Sequence, residues 1–232
     1  MVDIVWLGHG SFELKTQSGE VFLIDPWVTG NPKYPAGHKI GHVDAILVTH
    51  GHFDHTADLI RIAKESGAPI IAIHEIGEWL KGKGIDTARG MNKGGTQQVG
   101  SVAVTMTHAI HSSSFTENGQ IIYLGEAAGY VLTFADGRSA YFSGDTTVFG
   151  DMALVEQLYK PELVFLPIGD HYTMGPREAA LAARLIKAKT IFPMHWGTFP
   201  VLTGTPAKLA ELLSDQQEIE VLEVEPGQPV KW

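Results

Sequence analysis

Four side chains able to bind a metal ion fall within six residues of the chain, His50, His52, Asp54 and His55. They lie directly after an apolar run and directly before a helical pattern, in the segment DAILVTHGHFDHTADL. A strand end that turns through Gly51 lets the first two histidines project in the same direction, because side chains alternate along a strand. Imidazole and carboxylate groups bind divalent zinc, manganese, iron or nickel. The segment therefore predicts a metal site at a strand end.

A single turn cannot complete a coordination shell, so further donors must come from other segments. Four later apolar runs each end in histidine or aspartate. The donors after these runs are His108 and His111, Asp145, Asp170 and His171, and His195. Active sites of layered α/β folds gather at strand ends, on loops held by a rigid scaffold. We therefore expect several of these donors to converge on the first cluster.

His108 and His111 are alternatives for one position in the site. Both follow the same predicted strand, three residues apart. On an extended chain two residues with this spacing point to different faces. The spacing alone does not choose between them.

Composition excludes several classes of protein. The chain has 232 residues, no cysteine and a net charge of −9. Disulfides, thiolate metal sites and cysteine nucleophiles are thereby excluded, and the acidic balance argues against a nucleic-acid partner. The first residues, MVDIVWLGHGSF, do not read as a signal peptide, and no apolar run is long enough for a membrane helix. We expect a cytoplasmic protein.

The elements that must position the donors alternate along the chain in a pattern that indicates one layered α/β domain over residues 1–232. The predicted strands are Asp3–Leu7, Ser11–Lys15, Val21–Ile24, Ala45–Val48, Ile70–Ile73, Val102–Thr107, Ala128–Phe134, Ala140–Phe142, Leu163–Leu166, Thr190–Phe192 and Ile219–Val224. The predicted helices are Thr56–Ser66, Glu75–Lys81, Asp151–Leu158, Pro176–Lys187 and a segment from Thr205 to about Leu213.

The order of these segments resembles the metallo-β-lactamase-fold superfamily, and more closely its family of small cytoplasmic metal-dependent hydrolases of unassigned substrate. The motifs that carry the resemblance are LGHGSF, IDPW, THGHFDH, AIHSSS, GDTTVF, LPIGDHYTMGP and PMHWGTFP. They span nearly the whole chain. The resemblance implies a four-layer αββα sandwich of two similar halves, with the metals at one edge between the sheets.

The resemblance also implies a ligand set for two metal ions. One metal is expected on His50, His52 and His111. His111 is chosen over His108 because the family histidine precedes a run of small residues, here Ser112–Ser114. A second is expected on Asp54, His55 and His195, and Asp145 is expected to bridge both. Zinc is the expected metal, and manganese, nickel or iron fit the same donors.

Two metals that share a bridging oxygen imply hydrolysis by a metal-bridging hydroxide, with no side-chain nucleophile. Asp54 is the expected catalytic residue, because it can orient the water or carry its proton to the leaving group. Four further residues are candidates for supporting the ligands or contacting substrate. These are Asp25, His9, His171 and Thr173.

The function expected from these residues is hydrolysis of a small ester, lactone or phosphodiester. One alternative is a phosphodiesterase or nuclease that acts on nucleic acid. A second is an iron-dependent redox enzyme of the same fold, and a third is a metal-stabilised binding domain without activity. Fold alone does not choose among these classes, because function depends on the site.

Overall fold

Two seven-stranded sheets contain most of the predicted strands in the computed structural model, which describes residues 1–232. The strands of the first sheet, in spatial order, are β16 (Pro229–Lys231), β1 (Val2–Trp6), β2 (Phe12–Thr16), β3 (Val21–Ile24), β4 (Ala45–Leu47), β5 (Ile70–Ile73) and β6 (Ala88–Met91). Those of the second sheet are β15 (Glu220–Val221), β14 (Thr190–Met194), β13 (Leu163–Pro167), β12 (Ser139–Phe142), β11 (Ala128–Thr133), β8 (Val102–His108) and β7 (Thr96–Val99). A separate hairpin consists of β9 (Ser114–Glu117) and β10 (Gln120–Tyr123).

The inner faces of the two sheets pack on each other through aromatic rings. Phe12 on β2 lies 5.0 Å from Phe165, 5.6 Å from Phe142 and 5.1 Å from Phe192, measured between ring centroids across the sheets. These residues belong to a core of 42 buried side chains. Burial of apolar area on this scale is the main favourable term in folding.

Helices cover both outer faces, which gives the four layers of the predicted αββα sandwich. The helices are α1 (Phe53–Thr56), α2 (Leu59–Ser66), α3 (His74–Gly82), α4 (Met152–Tyr159), α5 (Pro176–Ile186) and α6 (Pro206–Leu212). Leu59 of α2 and Ile76 of α3 are buried in the main core, next to the first sheet. On the second sheet, a separate core of 17 buried residues includes Val164, Ala183 and Leu209. The sandwich predicted from the sequence is confirmed.

The direction of the strands brings the ends that carry the candidate ligands to one edge of the sandwich. β1 and β2 are antiparallel, β2 and β3 are antiparallel, and β3 and β4 are parallel, so β1, β3 and β4 run in the same direction. By the same reasoning β8, β12, β13 and β14 share one direction in the second sheet. Residues that follow these strands therefore lie at common edges.

Two predicted elements were wrong in extent. The predicted helix Thr56–Ser66 is interrupted at Ala57 and Asp58, because the Asp58 carboxylate accepts hydrogen bonds from the backbone N–H groups of Val28 and Thr29. The predicted strand Ile219–Val224 pairs only over two residues, β15, at the edge of the second sheet. None of the six helices has the length and apolar character that crossing a membrane requires.

Candidate metal centre

The first group of candidate ligands consists of three histidine nitrogens from two sheets. His50 follows β4, His52 precedes α1 and His111 follows β8. The Nδ1 atom of His52 lies 3.0 Å from Nε2 of His50 and 3.3 Å from Nε2 of His111. Two ligand nitrogens on a tetrahedral zinc ion, each at about 2.0–2.1 Å from the metal, are separated by roughly 3.3 Å. The spacing fits a single divalent cation.

The second group lies beside the first and contains the three predicted residues together with His9. Asp54 and His55 are on α1, His195 follows β14 and His9 follows β1. One ligand atom from each of the four lies within 4.8 Å of the others. Asp54 is the most exposed of these side chains, at 14%, and the histidines are buried. This group also has the donor types of a divalent-metal site.

Asp145 stands between the two groups. It follows β12 in a tight turn, where Gly144 has a left-handed φ of +63° and a Cβ would lie 2.5 Å from the Ala128 carbonyl oxygen. The Oδ2 atom of Asp145 is 2.9 Å from His195 Nε2 and 3.3 Å from His55 Nε2. It is 3.7 Å from His111 Nε2 and 3.9 Å from His50 Nε2. One carboxylate therefore reaches both groups.

Buried atoms without hydrogen-bond partners support a cation at this position. Asp145 Oδ1 is buried and makes no hydrogen bond. His55 Nε2 is also buried, and the Asp145 Oδ2 atom 3.3 Å away does not meet it in hydrogen-bond geometry. Buried polar side-chain atoms in folded proteins almost always have a partner, because an unpaired buried polar atom is costly. The residues fit divalent metal ions in number, type and spacing.

The protonation states of the three histidines in the first group also fit metal binding. Burial lowers the pKa values of His50, His52 and His111, which leaves these rings neutral near pH 7. A histidine must be neutral to offer a lone pair to a metal. His55 is different: burial alone would lower its pKa, but the carboxylates of Asp145 and Asp25 raise it well above the usual value. A cation at Nε2 would compensate the same negative charge.

Both candidate carboxylate ligands are ionised. Burial alone would raise the pKa of Asp54, but His55 and the hydrogen bond from His9 hold it below its usual range. Burial would likewise raise the pKa of Asp145, which His195 and His55 hold well below its usual range. Each carboxylate therefore brings a full negative charge to the site.

Asp25 fixes the orientation of two histidine rings. Its Oδ2 lies 2.8 Å from His55 Nδ1 and accepts a hydrogen bond of 2.6 Å from the Thr49 hydroxyl. The Thr49 hydroxyl is 3.0 Å from His50 Nδ1 and can accept its proton. In both rings Nδ1 then carries a proton, so Nε2 is the nitrogen that can bind a metal once it is deprotonated. This is the role that a carboxylate behind a metal-bound histidine performs.

His9 holds Asp54 in a similar way. Its Nε2 lies 2.9 Å from Asp54 Oδ2, and its Nδ1 lies 3.0 Å from the Thr198 hydroxyl. An ionised carboxylate can only accept, so Nε2 carries the proton and Nδ1 accepts from Thr198. Burial and the neighbouring His195 lower the pKa of His9 to about 4. His9 is therefore a neutral donor to Asp54.

A cavity of about 1030 Å³ opens over both groups. Its lining includes candidate ligands from each group, aromatic residues and several hydroxyls. The lining residues are His52, Phe53, Asp54, His111, Ser112, Ser114, Phe115, Thr116, Asp145, His171, Tyr172, His195, Phe199, Pro200 and Val201. A volume of this size accommodates a small-molecule substrate.

Comparison with known proteins identifies the family. The model of the beta-lactamase superfamily domain matches residues 20–196. The chain belongs to the beta-lactamase superfamily. It is 57% identical over 231 residues to a UPF0173 metal-dependent hydrolase of Solibacter usitatus, and the match covers all of both chains. A second such hydrolase, from Koribacter versatilis, is 50% identical and covers 97% of this chain and 96% of its own.

A solved structure shows the same relationship. Igni18, described as a novel metallo hydrolase from the hyperthermophilic archaeon Ignicoccus hospitalis, superimposes with a TM-score of 0.88 and 32% identity. The match covers 99% of this chain and 97% of that one. Together with the relatives, this makes the chain a metal-dependent hydrolase of the beta-lactamase superfamily.

Two other residues that the sequence analysis named, His108 and Thr173, do not belong to either ligand group of this beta-lactamase superfamily protein. His108 is exposed at the end of β8, and its Nδ1 lies 2.8 Å from the Lys93 ammonium group. Thr173 does not line the cavity, and its hydroxyl lies 3.4 Å from the Met174 carbonyl oxygen. His171, by contrast, lines the cavity beside Tyr172.

Sequence reasoning missed several residues that contribute to the site. Phe53 and Val201 line the cavity, and Thr49 and Thr198 orient histidines from behind. Phe53 could have been found, because it stands between His52 and Asp54 in the metal motif. The threonines carry no spacing signal, since their partners are brought to them only by the fold.

Proposed function

We propose that the chain is a dinuclear metal-dependent hydrolase that acts on a small ester, lactone or phosphodiester. The observation that carries the proposal is the position of Asp145 Oδ2, within 3.9 Å of histidine nitrogens from both ligand groups. A carboxylate so placed suits two cations better than one.

The ligand assignment follows the two groups. We assign His50, His52 and His111 to one metal. We assign Asp54, His55 and His195 to the other, with Asp145 shared. Zinc suits the donor set best, and manganese, nickel or iron are compatible with it. Metals in these positions would lower the pKa of water and polarise the bond to be cleaved.

The residues of the chain contribute position and proton transfer. Asp54 lines the cavity and is held through Oδ2 by His9. Its carboxylate can accept a proton from a water molecule in the cavity and deliver it to the leaving group. Asp25 and Thr49 keep the histidine rings in the orientation that ligation needs.

The cavity supports a small molecule as the substrate. Its volume of about 1030 Å³ lies near the upper end of the range of small-molecule sites. The net charge of −9 weighs against binding a polyanion through phosphate contacts. We therefore propose no nucleic-acid partner.

Asp145→Ala tests the dinuclear arrangement. The wild type, purified without a metal-binding tag, is expected to contain two equivalents of zinc, manganese or nickel by elemental analysis. The variant should contain less metal and lose metal-dependent hydrolysis by more than about 100-fold, because both cations lose a shared ligand. Circular dichroism should show an intact fold.

The matched control is Asp86→Ala, which removes an exposed carboxylate in the loop between α3 and β6. It should retain metal and activity. One equivalent of metal in the wild type, or full activity in Asp145→Ala, contradicts the dinuclear proposal. Two equivalents of iron with visible absorption contradict the assignment to zinc.

A further inference from the structure

The cavity over the metal groups has an apolar side with a rigid support. Phe53 and Phe199 both line the cavity and both pack on the buried ring of Trp27, at centroid distances of 5.6 and 5.9 Å. The Phe199 ring also lies 5.6 Å from the ring of His9, which holds Asp54. An apolar surface therefore begins near Asp54, the residue assigned to proton transfer, and continues to the mouth of the cavity.

The mouth exposes large apolar side chains to solvent. Phe53 is 57% exposed, Tyr172 is 56% exposed and Val201 is 43% exposed. All three line this cavity. Apolar side chains grouped at the opening of a pocket gain free energy when a ligand covers them. Their position favours a substrate with an aromatic or branched aliphatic group.

Nearly all acidic and imidazole side chains in the cavity lining are candidate metal ligands. The lining contains two aspartates and four histidines. Four of these six belong to the two ligand groups, Asp145 lies between the groups, and only His171 is not among the candidate ligands. The 17 lysines and arginines of the chain all lie elsewhere. Away from the metal groups, the lining therefore offers an anionic substituent no arginine or lysine, the side chains that commonly bind one.

The remaining polar groups of the lining are neutral. Ser112, Ser114 and Thr116 contribute hydroxyls from the segment that enters β9 and from β9 itself. Hydroxyls donate to and accept from carbonyl and ester oxygens without requiring a charge on the ligand. The lining thus offers metals, neutral hydroxyls and apolar surface.

From these observations we infer that the substrate is an uncharged carboxylic ester or lactone that carries an aromatic or branched aliphatic group. This inference rests on the proposed hydrolase function and narrows its substrate class. Water adds to the ester carbonyl carbon, and the bond from that carbon to the alkoxy oxygen breaks. The products are the carboxylic acid and the alcohol, which takes the proton, or one hydroxy acid from a lactone.

The experiment compares three chromogenic substrates with the zinc-loaded protein. They are p-nitrophenyl phenylacetate, p-nitrophenyl acetate and bis(p-nitrophenyl) phosphate. We expect kcat/KM for the phenylacetate to exceed that for the acetate by at least about tenfold, mainly through KM, because the phenyl group covers the apolar wall. The phosphodiester should be the poorest of the three.

Variants connect the preference to the wall. Phe53→Ala and Val201→Ser should each lower kcat/KM for the phenylacetate more than for the acetate. The control Leu158→Ala removes an apolar side chain that is 71% exposed on α4, outside the cavity, and should leave both values unchanged. Equal losses on both esters in both cavity variants would overturn the inference.

Binding of an uncharged ketone separates this inference from the proposed function. An NMR titration with 4-phenyl-2-butanone should show saturable binding to the zinc-loaded protein, weakened at least threefold in Phe53→Ala. Efficient turnover of the phosphodiester with poor turnover of both esters overturns the substrate class and leaves the hydrolase standing. Hydrolysis of none of the three contradicts the proposed function, and absence of ketone binding overturns the inference.

Discussion

Individual residues behind the candidate ligands determine which ring nitrogen faces the metal. Asp25 has a left-handed φ of +46° and is fully buried, so its carboxylate is fixed beneath His55. Burial raises the pKa of Asp25, although His55 and Thr49 act in the opposite direction. A buried carboxylate is unfavourable in itself, and here it lies where it orients His55 directly and His50 through Thr49.

Asp25→Asn tests this role at constant side-chain size. Asparagine tolerates a left-handed backbone, but the neutral amide no longer supports the His55 ring with a negative charge. We expect metal affinity to fall by about 10- to 100-fold, as for other partners of metal-bound histidines. Competition with a chromogenic chelator measures the affinity.

Asp44→Asn is a matched control for Asp25→Asn. The Asp44 carboxylate also pairs with a histidine, exposed His42, at 2.9 Å, but neither residue belongs to a ligand group. Asp44 precedes β4, whereas the candidate ligand His50 follows that strand. The metal affinity of Asp44→Asn should equal that of the wild type. An unchanged affinity in Asp25→Asn would show that the hydrogen bond to His55 has no part in metal binding.

His9→Ala tests whether Asp54 must be held in place. His9 donates to Asp54 and accepts from Thr198, so its loss releases the carboxylate that we assign to proton transfer. We expect kcat to fall by about 10- to 100-fold with little change in KM. His9→Gln should recover part of the loss, because its amide can donate to Asp54. A loss confined to KM, or no recovery in His9→Gln, would contradict a positioning role.

The loops that follow neighbouring strands contact each other closely, and this contact helps to place the candidate ligands. Gly169 follows β13, and a Cβ at this position would lie 2.0 Å from the carbonyl oxygen of His195 after β14. The two neighbouring strand ends can approach this closely only because residue 169 has no side chain. The position of His195 therefore depends on the loop that follows another strand.

Gly169→Ala is expected to push the two loops apart. We expect destabilisation of about 1–3 kcal/mol, typical of overpacking, together with reduced metal content. Chemical denaturation and elemental analysis measure the two effects. Gly150→Ala is the control, because its Cβ would meet nothing within 4 Å and its φ is not left-handed. Wild-type stability and metal content in Gly169→Ala would show that the loops can move apart freely.

The sequence predicted buried apolar strands well and poorly buried strands badly. Runs such as Ile70–Ile73, buried on both faces, matched the structure residue for residue. The strands β6, β7, β9, β10 and β16 were not predicted. Each has at most four residues, of which at most one is buried, as in ARGM and TQQV. We infer that they pair because a neighbouring strand is present rather than because of their own pattern.

The same distinction applies to the site. The sequence predicted that His50, His52, Asp54 and His55 lie together, because they share one turn. It also predicted that donors after later strands, among them Asp145, His195 and a histidine after β8, lie at the same edge, because they follow strands of layered sheets. It could not predict that His9 pairs with Asp54 or that Thr198 supports His9. Those contacts join residues that are 45 and 189 positions apart, and three-dimensional packing alone determines them.

The whole molecule consists of two halves, each built on one sheet, and both halves contribute residues to the ligand groups. His50, His52, Asp54 and His55 belong to the half built on the first sheet, and His111, Asp145 and His195 to the half built on the second. Each ligand group contains members from both halves. Cations in these groups would therefore link the two sheets at one edge, in addition to the apolar core that joins their faces.

Metal removal should therefore lower the stability of the entire sandwich. A ligand that binds only the folded state at 100 times its Kd adds about 2.7 kcal/mol, and a chain of this size changes its Tm by about 2–4 °C per kcal/mol. We expect chelation to lower Tm by at least about 5 °C in differential scanning calorimetry, and zinc to restore it. Asp145→Ala, with less bound metal, should show a smaller shift. A wild-type Tm that chelation leaves unchanged, in protein shown to have lost its metal, would mean that the apolar core alone holds the two sheets together.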